Sequence, residues 1–302
     1  MRIARFAKGD GVAYGVVEGA DDSVLFISEL HGHPFGVDPG GVRLTGRGYP
    51  LAEVRLLAPV LPSKVIAAAH SAGAAEPVLF LKPSTAVTGP GDAIKYPVKL
   101  TERVDMEGEL AVIIGRLCHQ VPRERAEDVI FGYACAGDVT ARDLLARDGQ
   151  WTRAKGFDTF CPLGPWMETG TSPADLEITT SVNGTARSVV RTSDLPWDVP
   201  GLISHVSHVM TLLPGDVLLT GTTAGNSGPL APGDEVAVTI ETIGALVNKV
   251  VVGDLRRRTR RGHRRLRPTI SLWPRTLTRA RSRLGRLRRK GPVSGGSRRM
   301  SP

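Results

Sequence analysis

The chain has 302 residues, with 39 Lys and Arg against 30 Asp and Glu, a net charge of +9. Such a balance suggests a nucleic-acid or membrane partner, but its distribution argues against one for most of the chain. Residues 254–302 hold 18 basic residues and one acid, which leaves 21 basic and 29 acidic residues, about −8, in residues 1–253. We therefore expect an acidic globular body followed by a basic tail.

The spacing of the cysteines and the hydropathy of the chain predict its cellular compartment. Cys118, Cys135 and Cys161 form no C-x-x-C pair, which suits a reducing cytosol. The first residues, M-R-I-A-R-F-A-K, lack an apolar signal core, and no run approaches the roughly 18 apolar residues of a membrane span. We expect a soluble cytoplasmic protein with no membrane partner.

The first 61 residues predict a small N-terminal β meander, because short alternating runs are separated by Gly and Asp turns. Too few apolar residues are available there for an independent core, so we expect the meander to pack on the larger domain C-terminal to it. The segment Leu61-Pro62-Ser63-Lys64 marks a boundary. The predicted domains are 1–61, a main domain over 62–253, and the Arg-rich tail over 254–302.

The stretch V-D-M-E-G-E-L-A-V-I-I-G, residues 104–115, places acidic side chains on a predicted buried strand. Residues two apart on a strand share a face, so Asp105, Glu107 and Glu109 lie on one side, with neighbours about 7 Å apart. Buried carboxylates need protonation, an Arg or Lys partner, or a metal ion; oxygen ligands favour Mg²⁺, Mn²⁺ or Ca²⁺. From this stretch alone, a charged strand end in solvent is the more common alternative.

Two further charged residues, Asp138 and Lys155, are candidates for metal or substrate binding. Asp138 follows a predicted strand and precedes the helical pattern T-A-R-D-L-L-A-R-D, so it is either a third metal ligand or a helix N-cap, with the cap favoured on local grounds. Lys155 lies in a turn-rich segment, residues 150–165, that is rich in Trp and Phe. It can position an anionic substrate or stabilise an oxyanion, although most lysines are simply solvated.

The C-terminal part of the main domain is mostly predicted strand. Asn183-Gly184 between alternating runs predicts a type I′ hairpin. A helix is predicted from Trp197 to Leu213; its His205 and His208 lack a third ligand and are interpreted as ordinary helix histidines. The common nucleotide-binding, zinc-protease and serine-hydrolase motifs are absent.

Five motifs are similar, in this order along the chain, to those of a known family: L-F-L-K-P, M-E-G-E-L-A-V-I-I-G, G-D-V-T-A-R-D, R-A-K-G-F-D-T-F-C-P-L-G-P and L-L-P-G-D-V-L-L-T-G-T. The chain resembles the fumarylacetoacetate hydrolase family over about residues 60–252, in its branch of bacterial acylpyruvases, fumarylpyruvate hydrolases and hydroxyhepta-dienedioate isomerases. The resemblance implies a mostly β (α+β) fold, a mixed β-roll or sandwich with short helices. It also implies a homodimer with one Mg²⁺ or Mn²⁺ per active site.

The resemblance also assigns roles residue by residue. Glu107, Glu109 and Asp138 would be the metal ligands, and Lys155 the anchor of the substrate carboxylate or enolate. Arg142 would lie beside the substrate, and Thr222 would contact its carboxylate end. The implied substrate is a 2-oxo or β-diketo acid of aromatic catabolism, which would undergo C–C hydrolysis, decarboxylation or isomerisation.

The sequence departs from the family where the catalytic base is expected. Hydrolytic members carry a His with a Glu partner in G-x-N-Y-x-x-H-x-x-E, whereas this chain has A-A-H-S-A-G-A-A-E-P. His70 and Glu76 are the candidates for this dyad, although their spacing differs. Gly137 and Leu145 replace the family's usual Asn and Gln. The metal site looks retained and the proton-transfer machinery altered, so a pseudoenzyme that binds metal and 2-oxo acid stays an alternative.

The tail over residues 254–302 has two interpretations. Its Arg-rich runs could bind nucleic acid or acidic surfaces through counterion release. The favoured alternative is a disordered extension, because the tail has few apolar residues and no interleaved aromatics for base stacking.

Overall fold

Strands are the commonest element of the protein in the computed structural model, which describes residues 1–9, 11–19, 25–36, 41–69, 75–223 and 228–253. A compact unit spans Met1–Arg256, and the second unit, Arg257–Pro302, lies outside the described residues. The strands run in this order: β1 Arg2–Lys8, β2 Gly11–Glu18, β3 Phe26–Leu30, β4 Leu44–Pro50, β5 Arg55–Leu57, β6 Val65–Ala69, β7 Val78–Lys82, β8 Val87–Thr88, β9 Ala93–Tyr96, β10 Val104–Ile114, β11 Ile130–Ala141, β12 Cys161–Glu168, β13 Glu177–Val182, β14 Thr185–Arg191, β15 Val217–Leu219, β16 Gly228–Leu230, β17 Glu235–Ile240 and β18 Gly244–Val252.

Among the residues that the structure describes, helices are few and short. The α-helices are α1 Arg142–Asp148, α2 Thr152–Lys155 and α3 Val199–Val209, and the 3₁₀ turns are Pro34–Gly36, Leu51–Glu53, Ser84–Ala86, Arg123–Val129 and Thr192–Asp194. None of the helices in the described part of the chain is long and apolar enough to span a membrane. The prediction of a mostly β fold with short helices is confirmed.

Two mixed sheets make up the architecture. The larger has 13 strands, with the main path β4-β3-β2-β1-β12-β11-β10-β15-β6-β7, and the smaller has five, β14-β13-β17-β18-β9. The meander β1–β4 is confirmed, and β1 also pairs with β12, so the meander extends the larger sheet. The predicted domain boundaries stay predictions.

Strand β10 lies near the centre of the larger sheet, between β11 and β15. Leu110, Val112 and Ile114 pack into the core cluster that includes the smaller sheet. Ala111 and Ile113 point the other way, into a second core cluster. A strand with apolar neighbours on both faces needs a continuous apolar sequence, which this half of β10 provides.

Two local predictions can be compared directly with the backbone. The hairpin at Asn183-Gly184 is confirmed: both residues have positive φ, 51° and 75°, between β13 and β14, as a type I′ turn requires. The helix predicted over 197–213 is shorter, Val199–Val209: Asp198 caps its start by accepting a hydrogen bond from the Gly201 N–H, and the extended backbone of Met210 ends it.

The prediction that Asp138 caps a helix was wrong. Strand β11 continues to Ala141, and Ala141 itself is the N-cap residue of α1. Asp138 therefore lies inside a strand. The charged-strand-end alternative for β10 was also wrong, because Asp105 and Glu109 are buried.

Gly108, between Glu107 and Glu109, is expected to be sensitive to the smallest substitution. A Cβ atom there would lie 2.1 Å from Thr180 Oγ1 and 3.1 Å from a Val238 methyl carbon, so Gly108→Ala should lower the free energy of unfolding by about 1–3 kcal/mol. Urea denaturation would measure this. Gly228→Ala is the matched control, because its Cβ would meet only the Arg187 side chain at 3.9 Å or beyond; equal losses in both variants would contradict the clash.

Candidate metal and substrate site

Pairing of β10 with β11 brings three carboxylates together. Glu107 lies directly across from Asp138 in the antiparallel register, and Glu109 lies two residues along β10, on the same face. One oxygen from each of the three carboxylates lies within 4.8 Å of the others. Asp138 and Glu109 are buried, and Glu107 is partly buried.

Three cationic side chains contact this carboxylate triad. Lys82 Nζ lies 2.6 Å from Asp138 Oδ1, and Lys155 donates a hydrogen bond to Asp138 Oδ2. Arg142 donates to Glu107 Oε1 at 2.7 Å. Arg103 and Arg142 both donate to Asp105, so Asp105, which shares the face of the triad, is neutralised by arginines and does not join it.

Burial and charge shift the ionisation of these groups in opposite directions. Burial raises the pKa of Glu109 well above its ordinary value, and the charges of Asp138 and Glu107 add to that rise. Burial would also raise the pKa of Asp138, but the ammonium groups of Lys155 and Lys82 outweigh it and the pKa is lowered. Burial opposes the charge on Lys155, but Asp138 and Glu107 raise its pKa.

The triad forms one wall of a cavity of about 190 Å³. The polar side chains of the lining are Glu107, Glu109, Asp138, Arg142, Lys155, Thr222 and Thr223. An apolar wall contains Phe80, Leu145 and Trp151, with the Phe80 and Trp151 rings edge to face at 5.2 Å. The cavity is smaller than the roughly 300–1,000 Å³ of pockets for drug-sized ligands, so it suits a small metabolite.

The donor set fits a hard divalent ion. Three converging carboxylates offer only oxygen, which Mg²⁺ and Mn²⁺ accept. The buried hydroxyl of Thr222 has no hydrogen-bond partner among the described residues and lines the same cavity, which leaves it able to bind a ligand oxygen. Glu109 Oε2 is already oriented by the Gly221 N–H at 2.7 Å.

The structure gathers most of the residues singled out from the sequence, while their roles stay predictions. Glu107, Glu109, Asp138, Arg142, Lys155 and Thr222 all line the cavity. Glu76 is exposed and is not among the lining residues. His70 lies outside the described residues. His205 packs on the Trp197 ring at 5.4 Å, and His208 lies by the Ser204 carbonyl oxygen; neither belongs to the carboxylate group.

Sequence reasoning missed Lys82, Phe80 and Trp151. The motif L-F-L-K-P carried a usable signal, because alternation along β7 places Phe80 and Lys82 on one face. Lys155 Nζ lies 4.8 Å from the centroid of the Phe80 ring, a cation–π distance. The connection to Asp138, 56 residues further along the chain, depends on the order of strands in the sheet.

Comparison with known proteins identifies the family. Residues 60–251 match the family described as Fumarylacetoacetate (FAA) hydrolase C-terminal, and residues 1–59 match the Rv2993c-like N-terminal family. The chain belongs to the fumarylacetoacetate hydrolase family. It is 48% identical over 266 residues to Protein Rv2993c of Mycobacterium tuberculosis, covering 83% of this chain and 98% of that protein.

Solved structures and more distant relatives carry enzyme names. A crystal structure named 5-carboxymethyl-2-hydroxymuconate delta-isomerase, from Mycobacterium smegmatis, is 51% identical with a TM-score of 0.78, covering 83% of this chain and all of that one. Oxaloacetate tautomerase YisK of Bacillus subtilis is 38% identical, covering 67% and 75%. Maleylpyruvate hydrolase from Sphingobium sp. SYK-6, 35% identical with a TM-score of 0.68 over 84% of this chain and all of that one, was solved with manganese(II) and pyruvate.

Replacing Glu109 tests the electrostatic cost of the triad. In EDTA, Glu109→Gln should raise the free energy of unfolding by on the order of 1 kcal/mol, because it removes a buried carboxylate that the other two repel. The wild type should gain stability on addition of Mn²⁺, and the variant should gain little.

Urea denaturation with EDTA or Mn²⁺ measures both effects. The exposed Glu124 supplies the control Glu124→Gln, which should leave both values unchanged. A Glu109→Gln protein that is less stable in EDTA and still stabilised by Mn²⁺ would show that the triad is neither repulsive nor the metal site.

Proposed function

We propose that the protein is a divalent-metal-dependent enzyme that isomerises a small 2-oxo dicarboxylic acid by moving a proton between C3 and the 2-oxo oxygen. The observation that carries this proposal is the buried triad of Glu107, Glu109 and Asp138 beside Lys155 in one small cavity. A divalent ion held there would act as a Lewis acid toward the 2-oxo oxygen. The Mg²⁺ or Mn²⁺ site, one per chain, is part of the same proposal.

The charge balance of the cavity supports a dianionic substrate. Among the described residues, the carboxylates of Asp105, Glu107, Glu109 and Asp138 are matched in number by the cations Lys82, Arg103, Arg142 and Lys155. A divalent ion would leave an excess of +2. A substrate with two carboxylates restores neutrality in a buried site, where unbalanced charge is costly.

The residues of this chain supply binding and charge stabilisation. Lys155 is positioned to donate to the oxygen on which negative charge develops during proton removal. The hydroxyl of Thr222 is available to a carboxylate oxygen, and Arg142 provides a guanidinium at the same wall. The apolar wall of Phe80, Leu145 and Trp151 excludes water from the substrate's other face.

Both isomerisation and C–C hydrolysis need a base, but isomerisation is preferred because the base of hydrolytic members is a His with a Glu partner. The dyad expected from hydrolytic members would pair His70 with Glu76, but Glu76 is exposed and does not line the cavity. Names of relatives include an isomerase and an oxaloacetate tautomerase as well as a maleylpyruvate hydrolase, and of the two solved structures the isomerase is the more similar, at 51% against 35% identity. Hydrolysis or decarboxylation of a related acid is the alternative. A pseudoenzyme is not favoured, because these relatives are named as enzymes.

Other expectations stay predictions. They are the homodimer, the cytoplasmic location, the part in aromatic catabolism, and the weak or absent binding of nucleic acid through residues 254–302.

Turnover of a substrate panel tests the function. We expect isomerisation of oxaloacetate or a 2-hydroxymuconate-type dienoate with Mg²⁺ or Mn²⁺, its loss in EDTA, and a fall of about 10²–10³ in kcat for Lys155→Met. Acetylpyruvate and fumarylpyruvate in the panel report hydrolysis. No turnover of any substrate, together with metal-dependent binding of oxalate, would contradict the enzyme proposal and favour the pseudoenzyme.

Paired variants separate a single base from a dyad. If His70 moves the proton alone, His70→Ala should lower kcat by about 10²–10⁴ with oxalate affinity kept, whereas Glu76→Gln should change kcat by no more than about twofold, as expected of a surface substitution. Steady-state kinetics on the active substrate measures both. Equal large losses of kcat in both variants would support the His70–Glu76 dyad and hydrolysis. An unchanged kcat in His70→Ala would show that His70 is not the base.

A further inference from the structure

The carboxylate of Asp138 lies between two ammonium groups that differ in placement. Lys82 Nζ lies 2.6 Å from Oδ1 and 3.1 Å from the Val139 carbonyl oxygen. Its side chain is 0% exposed and is not among the cavity-lining residues of the described chain. Lys155 donates to Oδ2, lines the cavity and lies 3.6 Å from Glu107 Oε2.

We propose that Lys82 is a positioning residue, the fixed partner that holds Asp138 in its metal-binding orientation so that Lys155 is free to exchange Asp138 for the substrate. The inference rests on the proposed function, because it concerns the same site. It gives the two lysines separate tasks: Lys82 serves the metal site, and Lys155 serves the 2-oxo acid.

The backbone supports this division. Lys82 is the last residue of β7 and is paired with Val65 of β6, and Pro83 follows it with φ near −63°. Its ammonium group reaches Asp138 and the neighbouring Val139 carbonyl on β11, so it links two strands of the same sheet. A buried ammonium with two oxygen partners cannot leave them without losing its solvation. Lys155 is also buried, with its side chain 4% exposed, but it lines the cavity and can therefore find new partners in a bound ligand.

Loss of Lys82 would have two effects of opposite sign on metal affinity. Removing a positive charge near a divalent ion strengthens binding by Coulomb's law. Removing the partner of a ligating carboxylate weakens binding, typically about 10–100-fold, because the carboxylate loses its orientation. We expect the loss of orientation to outweigh the loss of charge, so the decisive result is whether Lys82→Met weakens or strengthens Mn²⁺ binding.

The test compares wild type, Lys82→Met and Lys155→Met. Titration with Mn²⁺, followed by the electron paramagnetic resonance signal of the free ion, gives metal affinity, and calorimetry at saturating Mn²⁺ gives oxalate affinity. We expect Lys82→Met to bind Mn²⁺ about 10–100-fold more weakly. Lys155→Met should bind Mn²⁺ no more weakly than wild type, because it removes a nearby positive charge and leaves Lys82 on Asp138, and it should lose about tenfold or more in oxalate affinity, a charge-assisted contact.

Three results would overturn the proposal. The first is unchanged or tighter Mn²⁺ binding by Lys82→Met. The second is Mn²⁺ binding by Lys155→Met as weak as that expected for Lys82→Met, and the third is unchanged oxalate binding by Lys155→Met. The last two decide the matter even if Lys82→Met fails to fold, which circular dichroism would detect. A wild type that binds Mn²⁺ and oxalate but turns over no substrate would refute the proposed function and leave the task of Lys82 standing. A wild type without Mn²⁺ affinity would refute both.

Discussion

Three carboxylates share a buried pocket and repel one another, and the other groups of the site are arranged around that repulsion. Each group has lost solvation, and each is close enough to the others to disfavour ionisation; the raised pKa of Glu109 expresses this. The protein compensates with Lys82 and Lys155 on Asp138 and with Arg142 on Glu107. These cations balance the carboxylates and still leave converging oxygens for a divalent ion.

Strand register, rather than loop conformation, fixes this arrangement. Glu107 and Asp138 are direct cross-strand partners at the centre of the sheet, and Glu109 is held by the Gly221 N–H at the end of β15. Side chains on rigid strands are positioned more precisely than side chains on loops. Gly108 lets the smaller sheet approach β10 from behind, so core packing and site geometry are set by alternate residues of one strand.

The sequence predicted what depends on local pattern. Alternation along residues 104–109 placed Glu107 and Glu109 on one face, and the Asn183-Gly184 pair predicted its hairpin. The position of Asp138 was misjudged on local grounds because a helix begins four residues later, and only pairing with β10 shows that the strand continues past it. Lys82 was overlooked for a related reason: its contact with Asp138 depends on the fold of the intervening 56 residues.

Family motifs supplied the parts that local pattern could not. They group Arg142, Lys155 and Thr222 with the triad, and the structure places all three in the lining of one cavity. They gave less help at His70 and Glu76, where this chain departs from the family pattern. There the exposure of Glu76 carries more weight than the motif, since a carboxylate that orients a catalytic histidine must lie beside it at the site.

Anomalous diffraction from crystals grown with Mn²⁺ and oxalate would locate the metal ion that this site is proposed to bind. We expect one anomalous peak per chain, about 2.0–2.3 Å from oxygens of Glu107, Glu109 and Asp138, with oxalate in the same cavity and Lys155 turned toward the oxalate. A peak at another group of residues, or ordered oxalate in the cavity without any metal peak, would contradict this expectation.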